Sequence, residues 1–206
     1  MTPVGASLVD WLYPPSCALC AALGAGSPCP ECLARFERAD VSLPALKPEL
    51  DAGFAIFPFA GIAGVAVRAL KFGRRTDLVE WIAREMALGL ARSGLQADVV
   101  VPVPIHWRRR AHRGFNQSDH LIAHLPLPRA RLALRRTRMT RAQAKLQPGE
   151  RALNLSGAFV ASGVAGRRVL LVDDVVTSGH TARECARALR SAGASEVLML
   201  AFATAN

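Results

Sequence analysis

No stretch of this 206-residue chain is an apolar run long enough to cross a bilayer, which takes about 20 residues, so a helical membrane span is excluded. The opening "MTPVGASLVDWLYPP" has no cationic region, and Asp10 interrupts its apolar part. A secretory leader is therefore not expected, and the expected location is cytoplasmic. Without secretion, disulfides are a poor use for the five cysteines. No internal repeat is present, and none of the five histidines belongs to a His-Glu-x-x-His pattern. His120 and His124 stand four apart on an expected helix and read as an exposed pair.

What is present is a core and a concentrated charge. Hydrophobic residues make up 51% of the chain, enough to bury a sizeable interior, so disorder is not the default reading. The formal charge is +10, and Ile105–Arg151 alone holds twelve Lys/Arg against two Asp/Glu. The rest of the chain is balanced. A basic segment of this kind is either a solvated face or a surface for polyanions such as pyrophosphate, nucleotides or nucleic acid.

Four of the cysteines form two Cys-x-x-Cys knuckles, Cys17/Cys20 and Cys29/Cys32. Four thiolates can close a tetrahedral site with no open position, which makes a metal there structural, and zinc is the usual occupant. Cys185 stands apart. Ala182, Cys185, Ala186 and Leu189 share one helical face, which makes Cys185 a core thiol.

Residues 1–50 read as a small N-terminal module: a short helix over 4–12, the knuckles, then "VSLPALKPELDAG" as a linker. From residue 51 to 206, strands alternate with helices. Strands are expected over Phe54–Phe59, in "ADVVVPVP", "ARLALRRT", "GAFVA", "RRVLLVDD" and "EVLMLAFATA". Helices are expected in "GIAGVAVRALKFG", in "TDLVEWIAREMALGLARSG" with Thr76 or Asp77 as its cap, from about Asn116, and over 181–191. Residues 138–156 are polar, basic and aperiodic and read as a mobile loop. The pattern predicts an α/β fold with a mainly parallel sheet.

The chemistry concentrates in "VLLVDDVVTSGHT". An apolar strand ends on Asp173 and Asp174, and "VVTSGHT" leads into a helix. In parallel sheets, ligands bind beyond the carboxyl ends of the strands. A helix N-terminus suits a phosphate, Thr177, Ser178 and Thr181 offer hydroxyls, and Gly179 permits close backbone approach. Two carboxylates in contact with that phosphate would repel it. They must face sugar hydroxyls or a hard cation such as magnesium. A 5-phosphate with a ribose diol beside it satisfies both halves. A response-regulator acidic pair lacks a placeable partner lysine here, and a haloacid-type phosphatase requires Asp-x-Asp.

This stretch resembles the phosphoribosyl pyrophosphate (PRPP) motif of type I phosphoribosyltransferases. Together with "ALKFGRRTDL", "VPVPIHWRRRAHRGFNQ" and "RRTRMTRAQAKLQPGERALNLSGAF", the chain resembles the ComF family of competence proteins over essentially its whole length. Ser178 departs from the more usual Thr and keeps the hydroxyl. The resemblance implies a type I phosphoribosyltransferase fold with an N-terminal four-cysteine zinc module. It implies that Asp173 and Asp174 bind ribose hydroxyls, directly or through Mg²⁺, and that Val175, Val176, Thr177, Ser178, Gly179, His180 and Thr181 surround the 5-phosphate. Arg113 and Lys71 would face the pyrophosphate. Arg138, Gln143, Arg151 and Asn154 would belong to a hood closing over PRPP, with Arg113 and Arg151 joining the acidic pair in catalysis. The implied function is phosphoribosyl transfer or sensing linked to DNA uptake. The alternative is a single-stranded nucleic-acid-binding accessory protein, in which Trp107 and Phe115 add stacking to the basic segment and the PRPP pocket is regulatory or vestigial. Expected partners are PRPP, single-stranded DNA and proteins of the competence machinery.

Overall fold

The computed structural model describes residues 14–24, 26–43, 46, 48–72, 75–105, 117–137 and 157–205. Among the described residues, seven strands follow in chain order: β1 (Val41–Ser42), β2 (Ala52–Pro58), β3 (Val99–Pro102), β4 (Leu134–Arg136), β5 (Phe159–Ala161), β6 (Arg168–Val176) and β7 (Glu196–Thr204). The described α-helices are α1 (Pro30–Leu33), α2 (Gly61–Phe72), α3 (Leu78–Ser93), α4 (Gln117–Leu121), which runs into a 3₁₀ turn over Ile122–His124, and α5 (His180–Ser191). The main sheet has the order β1-β2-β7-β6-β3. Its inner pairs are parallel, and only β1 runs antiparallel, at the edge. β4 and β5 form a separate antiparallel pair. The expected α/β architecture with a mainly parallel sheet is therefore present.

Strand alternation divides the core into two layers. Val169 and Leu171 of β6 face one side with Val99, Val101, Val197 and Met199, where Cys185, Ala186 and Leu189 of α5 cover them. Leu170 and Val172 face the other, with Val100, Leu198 and Leu200, under Leu70 of α2 and Ile82 and Met86 of α3. Cys185 is fully buried, as its helical face implies. Because β6 and β7 are covered on both faces, they read as unbroken apolar runs.

Helix α3 shows how local sequence sets these layers. Leu78, Ile82 and Met86 are wholly buried at helical spacing, each side chain contributing about 1.5–3 kcal/mol by leaving water. Gly94 closes the helix at φ 69°, in the left-handed region. Asp77 does not cap its start: the residue is itself helical in backbone, and Arg75 holds its carboxylate at 2.7 Å. Gly89 lets the helix lie against β2, since a Cβ there would meet Ile56 Cγ1 at 2.6 Å.

The segment read as a linker is not one throughout. Val41–Ser42 joins the sheet as β1, and Leu43, Leu46 and Leu50 are buried in the α5-side core. Its apolar residues at intervals of three and four carry that burial, which the prolines among them mask in the sequence. Just upstream, Phe36 packs on Trp81 at 4.5 Å and on Phe57 at 5.3 Å between ring centroids. Arg38 grips Glu85 with both its Nε and Nη2, at 2.8–3.1 Å, and Arg92 grips Asp40 likewise. These contacts fasten the cysteine-bearing region to α3. Among the described residues, no helix is long and apolar enough to cross a membrane.

Candidate functional site

The acidic pair lies inside β6 rather than just past it. On one side the β6 ladder to β7 continues to Val176, paired with Thr204. On the other, the ladder to β3 ends at Pro102 opposite Val172, with one further bond from the Val103 N–H to the Val172 carbonyl. Residues 173–176 thus run beyond β3, at the carboxyl end of the parallel sheet.

Asp174 follows the Leu170–Val172 alternation toward the α2 side, where Lys71, on the last turn of α2, reaches it at Nζ–Oδ1 2.7 Å. The Asp174 side chain is only 4% exposed. Asp173 uses one oxygen internally: its Oδ1 accepts from the Ser118 hydroxyl at 3.1 Å and from the Asp174 backbone N–H at 2.9 Å. Ser118 is buried on α4. Burial, and then the adjacent Asp174 charge, push the Asp173 carboxyl up to about 7, against the pull of Lys71 and of its two hydrogen bonds. One lysine beside two carboxylates leaves the described site short of positive charge, which a cation would supply.

The loop beyond β6 is compact. Thr177 is exposed, Ser178 half-buried and Gly179 buried. The His180 Nδ1 and the Ser178 hydroxyl are 2.7 Å apart. Gly179 adopts φ 72°, and a Cβ at that position would meet Leu46 Cδ2 at 2.1 Å, so conformation and space both demand glycine. Helix α5 then begins at His180, aiming its N-terminus at the same end of the sheet as the acidic pair.

The structure thus brings Lys71, Asp173, Asp174 and residues 175–181 to one end of the sheet. Arg113, Arg138, Gln143, Arg151 and Asn154, with Trp107, Phe115 and Asn116, lie outside the described residues. So does the helix expected over 4–12. Ser118 was missed by sequence reasoning; its signal was a hydroxyl one residue after "RGFNQ". His120 and His124 are exposed, and His124 falls in the 3₁₀ turn.

Among the described residues, the one cluster suited to a metal is Cys17, Cys20, Cys29 and Cys32, whose sulfurs all lie within 4.8 Å of one another. Tetrahedral bonds of about 2.3 Å set sulfurs about 3.8 Å apart. The Cys20–Cys29 and Cys17–Cys32 separations are 3.6 and 3.9 Å, so the donor set fits a four-thiolate ion. Burial opposes ionisation of Cys17, yet backbone N–H groups of Cys29, Leu19 and Cys20 aimed at its sulfur hold it at about 6, in the range of a ready ligand. Ile62, at the start of α2, packs on the cluster with Leu19 and Phe36.

Residues 77–206 match the phosphoribosyl transferase domain. The chain is 39% identical to DNA utilization protein YhgH of Escherichia coli K12, over 64% of this chain and 62% of that protein. It is 35% identical to the YhgH of Salmonella typhimurium, over 82% and 80%. It is 34% identical to competence protein F of Haemophilus influenzae, over 52% and 51%. The chain belongs to the ComF family. The matches to the Escherichia coli relatives span 62–66% of those proteins' length. Within this ComF chain, the matched domain contains the acidic pair and the loop after it, while Lys71 and the four cysteines precede it.

Proposed function

We propose that this protein binds PRPP with magnesium at the end of β6 and transfers its phosphoribosyl group to a nitrogen acceptor, releasing pyrophosphate, in the service of DNA uptake. The observation that carries the reading is the paired carboxylates beside a glycine-dependent loop at the N-terminus of α5, inside a phosphoribosyl transferase domain. Asp173 and Asp174 take the ribose hydroxyls. Residues 175–181 surround the 5-phosphate, with the Thr177, Ser178 and Thr181 hydroxyls and the loop amides as donors. Lys71 pairs with Asp174 and lends countercharge to the pyrophosphate side, where Arg113 joins it. Arg138, Gln143, Arg151 and Asn154 belong to a hood that excludes water from the oxocarbenium-like centre. Magnesium, when bound, supplies the positive charge that a pyrophosphate leaving group requires. Zinc is the usual ion of a four-cysteine site without an open position, and its role is structural. On this reading residues 51–206 form the ligand-binding part, and residues 1–50 form the metal module, whose last leucines pack into the sheet's core.

A second reading is supported by the names of the relatives, a DNA utilization protein and a competence protein, and by the +10 segment. In it, the basic segment binds single-stranded DNA and PRPP occupancy regulates that binding. Affinity falling log-linearly and steeply with salt distinguishes it from pyrophosphate recognition alone. The double substitution Asp173→Asn with Asp174→Asn tests the main reading. It is expected to abolish PRPP binding while circular dichroism stays native; unchanged affinity refutes the assignment of the acidic pair.

A further inference from the structure

The residues behind the phosphate loop carry an inference of their own. Arg183, one turn into α5, donates from Nη1 to the Ser178 carbonyl at 3.1 Å. Its Nε lies 3.8 Å from Glu49 Oε2, and Glu49 also pairs with Arg187. Glu49 is 15% exposed in its side chain; burial works against its charge, but Arg187 and Arg183 hold its carboxyl below the ordinary range. Three residues earlier, Leu46 is buried against Gly179 and fills the space where a side chain would stand. Leu46 and Glu49 therefore brace the loop from behind, with an apolar contact at Gly179 and a charge contact to Arg183 at 3.8 Å.

In a trans peptide the carbonyl and the following N–H point in opposite directions. A guanidinium that captures the Ser178 carbonyl on the α5 side turns the Gly179 N–H away from α5, out of the brace. That N–H has no acceptor among the described residues. We propose that Arg183, held by Glu49, is a positioning residue for the phosphate loop: it fixes the Ser178–Gly179 peptide so that the Gly179 N–H faces the ligand's 5-phosphate. Without it the peptide is free to turn over, and the carbonyl oxygen then meets the phosphate where a donor is needed. This inference rests on the phosphoribose reading of the site and adds the groups that shape its phosphate end.

The test uses the full chain with magnesium, titrated separately with ribose 5-phosphate and with pyrophosphate. Arg183→Ala is expected to weaken ribose 5-phosphate binding tenfold or more and to leave pyrophosphate affinity within twofold. Arg183→Lys, which keeps one donor, recovers part of the loss, and Glu49→Gln gives a smaller loss of the same selectivity. A merely structural role would move both ligands together, and that result overturns the proposal, as does unchanged ribose 5-phosphate affinity in Arg183→Ala. If Arg183→Ala fails to fold, the Lys and Gln variants decide by the same selectivity. Failure of the wild-type chain to bind ribose 5-phosphate at all would instead refute the phosphoribose site itself, and this positioning role with it.

Discussion

Asp173 and Asp174 are neighbours in sequence, but their removal has opposite effects on stability. The Asp173 carboxyl titrates near 7 in the fold, where burial and the Asp174 charge disfavour its ionised form, against an ordinary value of 3.8. A folded-state value above the unfolded one means that the native state holds the proton longer, so wild-type stability falls as pH rises from about 4 and levels off above 7. The ceiling on that loss is about 4 kcal/mol, from a displacement of roughly three pH units at 1.36 kcal/mol each. Solvent reaching the half-buried side chain lowers the realised figure to about 1–2 kcal/mol. Asp173→Asn keeps the oxygen that accepts from Ser118 and from the Asp174 N–H, removes the charge, and is expected to stabilise by that amount at pH 8 and by little at pH 4. Asp174→Asn strips Lys71 of its partner at a site 4% exposed and is expected to destabilise by about 2 kcal/mol, the cost of breaking a buried pair less the relief given to Asp173. Urea unfolding followed by tryptophan fluorescence reads both, because the Trp81 indole packs against Phe36, Phe57 and Phe202. Asp173→Asn destabilising at pH 8, or a gain that does not grow with pH, would mean that burial and the Asp174 charge do not disfavour the ionised Asp173.

Two further outcomes are expected. Purified reduced protein should carry about one metal ion per chain; its removal by chelator should lower the melting temperature, because the cysteine region is fastened to α3 through Phe36, Arg38 and Asp40, and an unchanged melt would mean that no ion organises the knuckles. Gly179→Ala combines a left-handed backbone with a 2.1 Å approach to Leu46 Cδ2 and should cost more than about 2 kcal/mol along with the phosphate affinity. Paired with Leu46→Ala, which opens the space, it should recover part of the stability, and no recovery would mean that strain at φ 72° dominates.

Much of this was legible in the sequence because the relevant signals are local. Unbroken apolar runs marked β6 and β7, helical spacing marked α3 and the buried face of α5, and the acidic pair with its glycine loop marked the end of the sheet. Paired knuckle spacing marked the cysteine cluster. The rest depends on contacts between residues distant in the chain. Arg183 and Glu49 are more than a hundred residues apart, and neither stands in a motif. Lys71 reads as a countercharge in the sequence, yet its attachment to Asp174 follows from where α2 ends against β6. Leu43, Leu46 and Leu50 were hidden by prolines that suggest a linker. Asp77 has the chemistry of a cap, but Arg75, two residues away, competes for its carboxylate and holds it.

Every ligand-binding role assigned to Asp173, Asp174 and residues 175–181 depends on a PRPP site at the end of β6. Calorimetric titration of the full chain with PRPP, in the presence and absence of magnesium, tests it most directly. Magnesium-dependent binding of one PRPP per chain is the predicted result. Absence of binding at millimolar PRPP with magnesium present would contradict it and would leave a phosphoribosyl transferase domain that does not hold the domain's donor.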